Sequence, residues 1–194
     1  HQYLVQYWVS DPRNTSASQT ETVVGENVVT LQYNSTGSDG GVGQYVTGTF
    51  TASATVAAFT IQGSGSAPST YMNAIQLRDL GATNGIVFSA PVTISGDSDV
   101  ATNGVLVGAY NLNGASGNVT VNGVAFVGST STTALGANVL MAGFPANGNY
   151  LGFTSSSAPW SGLSGSYQAV LSGGNNTAPT SPVVVTLTNL AVGD

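Results

Sequence analysis

The sequence predicts an all-β protein: a single antiparallel β-sandwich, jelly-roll-like, spanning residues 1–194 as one domain, with one short helix near 161–171. Three observations carry this. Apolar residues recur with period 2 in about a dozen short runs, clusters of Gly, Asn and Ser punctuate those runs, and only one stretch has helical spacing. Two small sheets divided near Gly81–Gly85 would each be marginal without disulfides. The chain has no Cys, so one core drawn from both halves is expected.

Taken in order, Tyr3, Val5, Tyr7 and Val9 alternate with Leu4, Gln6 and Trp8, the pattern of a strand with one face buried. β-branched runs follow at Thr22–Val24, Asn27–Gln32, Gln44–Thr51, Val56–Gln62 and Met72–Arg78, separated by turn clusters at Ser35–Gly43, Gly63–Ser69 and Gly81–Gly85. The second half continues with Ile86–Phe88, Val92–Ile94, Val105–Tyr110, Asn118–Val121, Val124–Phe126, Asn138–Ala142 and Val183–Leu190. Asn122-Gly123 is the strongest hairpin turn, because both residues tolerate positive φ and Val121 and Val124 flank them. Leu163, Tyr167, Val170 and Leu171 fall at i, i+4, i+7 and i+8 behind Pro159-Trp160, which predicts a short helix capping an open end of the sheets, with Trp160 as its plug. Trp8 is expected in the core.

Composition excludes more than it selects. Charged residues make up 5% of the chain and the net charge is −6. Arg13 and Arg78 are the only Lys or Arg residues, so nothing can neutralise a run of phosphates, and nucleic acid and anionic membranes are repelled. With no Cys and one His, thiol nucleophiles and zinc sites of the Cys/His type are excluded. No apolar run is long enough to insert in a bilayer. A chain rich in Thr, Ser, Asn and Tyr and free of Lys and Cys is expected outside the cell. Asn14, Asn34, Asn118 and Asn175 head Asn-x-Ser/Thr triplets and are candidate glycosylation sites.

Several strings resemble a family of secreted bacterial β-sandwich repeat domains, found in cell-surface proteins with a C-terminal anchor of the PEP-CTERM type and in long tandem-repeat proteins. They are YLVQYWVSDPR (3–13), YMNAIQLRDL (71–80), ISGDSDVATNG (94–104), VGAYNL (107–112), VNGVAF (121–126), PWSGLSGSYQAVL (159–171) and LTNLAVGD (187–194). None is a catalytic signature, so the resemblance implies fold and setting. It also implies a rotated order: in the family the LTNL string runs directly into YLVQYWV, whereas here that junction coincides with the two ends of the sequence. A repeat cut in another register, a circular permutant, or a subunit whose terminal strands complete a neighbour would each produce this. In all three, Val183–Leu190 and Tyr3–Val9 are expected as adjacent antiparallel partners, through Tyr3, Val5, Tyr7 and Val9 on one side and Val183, Val185, Leu187 and Leu190 on the other. Pairing between chains would be β-augmentation propagating head to tail, a homopolymeric filament.

Other candidate sites are weaker in pattern. Asp97 and Asp99 beside Gly96 could supply oxygens to Ca²⁺ or satisfy turn amides; a full Ca²⁺ shell would need Asp39, Glu26 or Asp79 brought in by the fold. His1 has the chemistry of an N-terminal copper brace but lacks the second His that such a brace needs. Asp11-Pro12-Arg13 fits a loop-fixing ion pair or a sugar contact. Glu21 and Glu26 are two carboxylates without any further sign of a glycosidase. Tyr33, Tyr45, Tyr150 and Trp160 could stack on sugar rings or fill the core. No acid, base and nucleophile assemble into a catalytic set, and no cofactor is expected apart from that Ca²⁺. The expected function is therefore a structural subunit of an extracellular fibre or surface matrix, built by strand complementation on edges without charged gatekeepers. The alternative is a secreted carbohydrate-binding module, Ca²⁺-dependent if Asp97 and Asp99 hold the ion.

Overall fold

The protein is described by a computed structural model covering residues 1–14, 19–64, 69–81, 87–112, 117–145, 150–177 and 182–191. Its strands are β1 (Gln2–Val9), β2 (Thr20–Val24), β3 (Val28–Gln32), β4 (Gln44–Thr51), β5 (Val56–Ser64), β6 (Thr70–Met72), β7 (Ala74–Gly81), β8 (Val87–Phe88), β9 (Val92–Thr93), β10 (Val105–Asn111), β11 (Val119–Val121), β12 (Val124–Gly128), β13 (Ala134–Leu135), β14 (Val139–Ala142), β15 (Tyr150–Gly152), β16 (Gly173–Thr177) and β17 (Val183–Thr188). One α-helix, α1, spans Gly165–Leu171, with Ser164 as its N-cap accepting the Tyr167 amide at 3.0 Å.

An eight-stranded sheet runs β11-β12-β10-β7-β1-β4-β8, with β9 also on β4. It faces a six-stranded sheet in the order β13-β14-β17-β5-β2-β3, and a small sheet, β15-β16-β6, closes one end. Both large sheets draw strands from both halves of the chain. The fold is an all-β sandwich, with one departure from the antiparallel expectation: β12 lies parallel to β10 at Tyr110–Val127. β11 and β12 form a hairpin on Asn122 and Gly123 at φ 47° and 75°, the positive-φ pair that the dipeptide predicts.

The two large sheets differ in how they are covered. β2, β3, β14 and β17 alternate buried and exposed, as strands do with one face on a core and one on solvent. β1 is buried from Tyr3 to Val9 without a break. Its odd-numbered residues enter the core between the sheets, while Trp8 enters a second core with Ala74, Ala109, Phe126, Trp160, Tyr167 and Leu171. The short helix does not cap an open end of the sheets. It packs with the 3₁₀ turn at Trp160–Gly162 and the β11–β12 hairpin onto the outer face of the eight-stranded sheet, because Leu163, Tyr167, Val170 and Leu171 present one apolar stripe to it. Trp160 belongs to that layer. The Trp8 indole N–H donates to the Tyr167 hydroxyl at 3.0 Å across it.

Met72–Arg78 divides into β6 and β7 at Asn73. The Asn73 side chain donates to the Ser10, Leu171 and Gly173 carbonyls (3.1, 2.8 and 3.0 Å) and accepts the Ser10 amide at 2.7 Å. One buried amide thus fixes the end of β1, the end of α1 and the start of β16.

Candidate assembly surface

The strands expected to pair with each other do not. β1 is hydrogen-bonded to β4 along its whole length and to β7 from Gln2 to Trp8. β17 is held between β14 and β5. They lie in different sheets, and both edges of each are used within the chain. Yet Tyr3, Val5, Tyr7, Val9, Val183, Val185, Leu187 and Leu190 all belong to one core cluster. They meet face to face across the sandwich and not edge to edge. The Ala191 amide donates to the Tyr3 hydroxyl at 2.6 Å, a side-chain link between the first strand and the segment after the last. The rest of the expected Ala191–Gln2 connection, residues 192–194, lies outside the described residues.

Among the described residues, no further layer covers the outer face of the six-stranded sheet. Register defines its rows. Ala142, Val184, Thr60, Val24 and Val28 form one line across five strands, flanked by Leu140–Thr186–Ala58 on one side and Gln62–Thr22–Thr30 on the other. Not one of these residues is charged. Most are β-branched, which makes the face stiff. Val28 and Val56 are each more than half exposed. Glu26, in the β2–β3 turn, is exposed at its border. β3 ends this sheet as an edge strand without Lys or Pro.

Asp99, Asp97, Asp39 and Asp79 are each held by hydrogen bonds within the chain. The Asp99 carboxylate accepts the Ser95 amide and hydroxyl, both at 2.7 Å, and the Gly96 amide at 3.0 Å, holding the 3₁₀ turn Asp97–Asp99; the Tyr167 hydroxyl lies 3.3 Å away. Asp97 accepts the Ser164 hydroxyl at 2.6 Å. Asp39 takes the hydroxyls of Ser155 and Ser157. Asp79 meets the His1 ring at 2.8 Å. The fold therefore does not bring Asp39, Glu26 or Asp79 to Asp97 and Asp99, and among the described residues no group of three His, Cys, Asp or Glu could hold a metal ion. Turn-amide satisfaction is the role this geometry supports.

Arg13 forks onto Asp11 through Nε at 2.9 Å and Nη2 at 2.7 Å, with its guanidinium 4.9 Å from the Phe153 ring centre. Hydrogen bonding to buried Asp11 raises the Arg13 pKa. The pair fixes the loop after β1. Tyr33 and Trp160 are buried, and Tyr45 is half-buried against Trp8, so none of the three offers an open platform for a sugar ring. The Tyr150 side chain lies outside the described residues. An open cleft lies between Thr36, Thr93, Ser95, Pro159 and Leu163, and the Thr36 and Ser95 hydroxyls in it are hydrogen-bonded to Asn34 and Asp99.

Compared with family models, with curated proteins and with solved structures, the chain matches none. The likeness to bacterial surface domains rests on the strings in the sequence alone. Among the described residues no helix is long and apolar enough to cross a membrane.

Of the four triplet asparagines, Asn34 and Asn175 are buried. Asn34 donates to the Arg13 and Ser38 carbonyls, and Asn175 to Ser131. Asn14 and Asn118 are exposed.

Glu21 and Glu26 share no accessible site, since Glu21 is fully buried. Its Oε1 meets the Tyr7 hydroxyl, and its Oε2 accepts the Tyr33 hydroxyl at 3.1 Å and the Tyr71 amide at 3.0 Å. Sequence reasoning passed over this cluster, although period 2 places Glu21 on the same inward face as Val23.

Proposed function

We propose that the chain is a non-catalytic structural subunit of an extracellular fibre or surface matrix, and that its principal contact joins the outer face of the six-stranded sheet to the same face of a second copy. The carrying observation is that face: rows of Val, Thr, Ala and Gln without a charge, on a chain of net charge −6. Copies of an acidic protein repel wherever carboxylates meet, so an uncharged face is where they approach at least cost. Strands of two to nine residues, at a rise of ~3.3 Å and a spacing of ~4.8 Å, give a footprint on the order of 500 Å², below the ~800 Å² per partner of a standard stable interface and in the range of a weak, reversible one. Short β-branched side chains also pack well sheet on sheet.

Exchange of β1 between chains would break both of its ladders, so complementation by the terminal strands is the less economical route. A face-to-face contact on a two-fold axis closes as a pair. Growth of pairs into a fibre needs a second contact, and the edge strand β3 has the backbone geometry for one. Sedimentation and electron microscopy of the wild type and of Val184→Lys test the reading. Association lost in the variant, with the fold retained by circular dichroism, supports it. A wild type that stays monomeric at high concentration overturns it.

A further inference from the structure

Glu21 extends from β2 into the space where the three sheets meet. Tyr7 comes from β1 in the eight-stranded sheet, Tyr71 from β6 in the end sheet, and Tyr33 from the segment just after β3. Besides Glu21, the Tyr7 hydroxyl reaches the Tyr71 carbonyl and the Tyr33 hydroxyl reaches the Ser69 carbonyl. The network thus has five contacts, and because the one Tyr33 hydrogen is shared between Glu21 Oε2 and the Ser69 carbonyl, four hydrogens complete it. The two hydroxyls and the Tyr71 amide supply three. A carboxylate adds none. A carboxylic acid adds a fourth: Oε1–H donates to the Tyr7 oxygen, which frees the Tyr7 hydrogen for the Tyr71 carbonyl.

Charge points the same way. The groups facing this carboxyl are the three tyrosines, and behind Tyr71 lies the Asp11–Arg13 pair, where each ion already answers the other. Arg78 is engaged elsewhere, donating to the carbonyls of Thr102, Asn103 and Gly104. An ionised Glu21 would have no cation in contact among the described residues, in a site without exposure to water.

We propose that the neutral Glu21 carboxyl is a proton-operated clamp that ties the three sheets together, and that its deprotonation loosens the sandwich as pH rises. Burial pushes the Glu21 carboxyl from its ordinary 4.5 up to about 8, against the opposing pull of the Tyr71 amide and the Tyr33 hydroxyl. The folded form therefore keeps a proton that the unfolded chain releases near 4.5. Its stabilising effect is complete below about 4.5, declines as pH rises, and is lost above about 8. Within that window the folding equilibrium constant falls by up to about tenfold per pH unit from this one group.

The test is denaturant unfolding of the full chain across that pH window, for the wild type and for Glu21→Gln, whose amide can donate to Tyr7 and accept from Tyr71 without titrating. The expected result is a midpoint that falls with pH in the wild type and a markedly flatter profile in E21Q. Equal slopes in the two proteins overturn the clamp. Should E21Q fail to fold, the wild type still decides, because Glu21 and Glu26 are the only glutamates. In a carbon-13 NMR titration of glutamate side-chain carboxyls, one resonance is expected to titrate near 8. If neither titrates above the ordinary carboxylate range, the proposal fails.

Discussion

Tyr3 and Ala191, at opposite ends of the chain, meet across the sandwich: the Ala191 amide donates to the Tyr3 hydroxyl at 2.6 Å, and the Tyr3 ring stacks on Phe50 at 5.5 Å. Tyr3→Phe keeps the stacking and removes the acceptor. It is expected to cost about 0.5–1.5 kcal/mol in denaturant unfolding, the net worth of one ordinary hydrogen bond, since Ala191 is exposed and water can take the place of the hydroxyl. Deleting residues 1–10 is a different matter, because β4 and β7 then lose the strand between them. The truncated chain is expected to lose cooperative unfolding, and a well-folded truncated monomer would contradict the central position of β1.

The uncharged sheet face predicts where a Lys will matter. Val184→Lys and Thr60→Lys sit in the middle row, and each is expected to weaken association at least tenfold by sedimentation equilibrium, since a desolvated ammonium costs several kcal/mol when nothing pairs with it. Val105→Lys, on an exposed position of the other sheet, is the control and leaves association unchanged. Equal effects at Val105 and Val184 would count against this face.

Asn73 connects three elements through one side chain. Asn73→Ala removes its hydrogen bonds to Ser10, Leu171 and Gly173 together and is expected to destabilise by about 3 kcal/mol or more. Asn73→Asp is expected to be worse, because a carboxylate would face three carbonyl oxygens. Thermal or denaturant unfolding reads both. A change under 1 kcal/mol for the alanine variant, on the scale of ~1 kcal/mol for one ordinary hydrogen bond, would show that the three elements are fixed some other way.

The Asp99 carboxylate closes its own turn, so Asp99→Ala is expected to lower stability by about 1–2 kcal/mol in buffers with and without calcium alike. A calcium-dependent rise in melting temperature that disappears in the variant would restore the ion-binding alternative.

Burial divides the candidate glycosylation sites. In a host that glycosylates Asn-x-Ser/Thr, peptide mass spectrometry is expected to find occupancy at Asn14 and Asn118 and none at Asn34 or Asn175, whose side-chain amides are enclosed and hydrogen-bonded. Occupancy at Asn175 would mean that β16 is modified before it folds.

How much of this was legible depends on which physical signal each element carries. Gln44–Thr51 was readable to the residue, because its alternation is unbroken. Asn122-Gly123 was readable because turn chemistry is local. β16, Gly-Gly-Asn-Asn-Thr, was not: nothing in those residues favours a strand, and its place is set by Asn73, by Tyr71–Asn176 pairing and by burial. Tyr3–Val9 was readable as a strand but not as one buried on both faces, since Leu4, Gln6 and Trp8 do not reveal what covers them. Partner choice was the least legible. Two apolar strands that share a core have the same pattern whether they lie side by side or face to face, and β1 and β17 turned out to be the second case.

The helix-and-hairpin layer lies on one side of the sandwich only, and this gives the molecule a front and a back. In a pair joined through the bare sheets, both α1 layers point outward and become the skin of the assembly. That skin includes exposed Asn118 and the Asp97–Asp99 turn, whereas the joining surface is made of strand residues that must stay flat. What such an assembly presents to its surroundings could then change by substitution in the turns and hairpin, without disturbing what holds the two halves together.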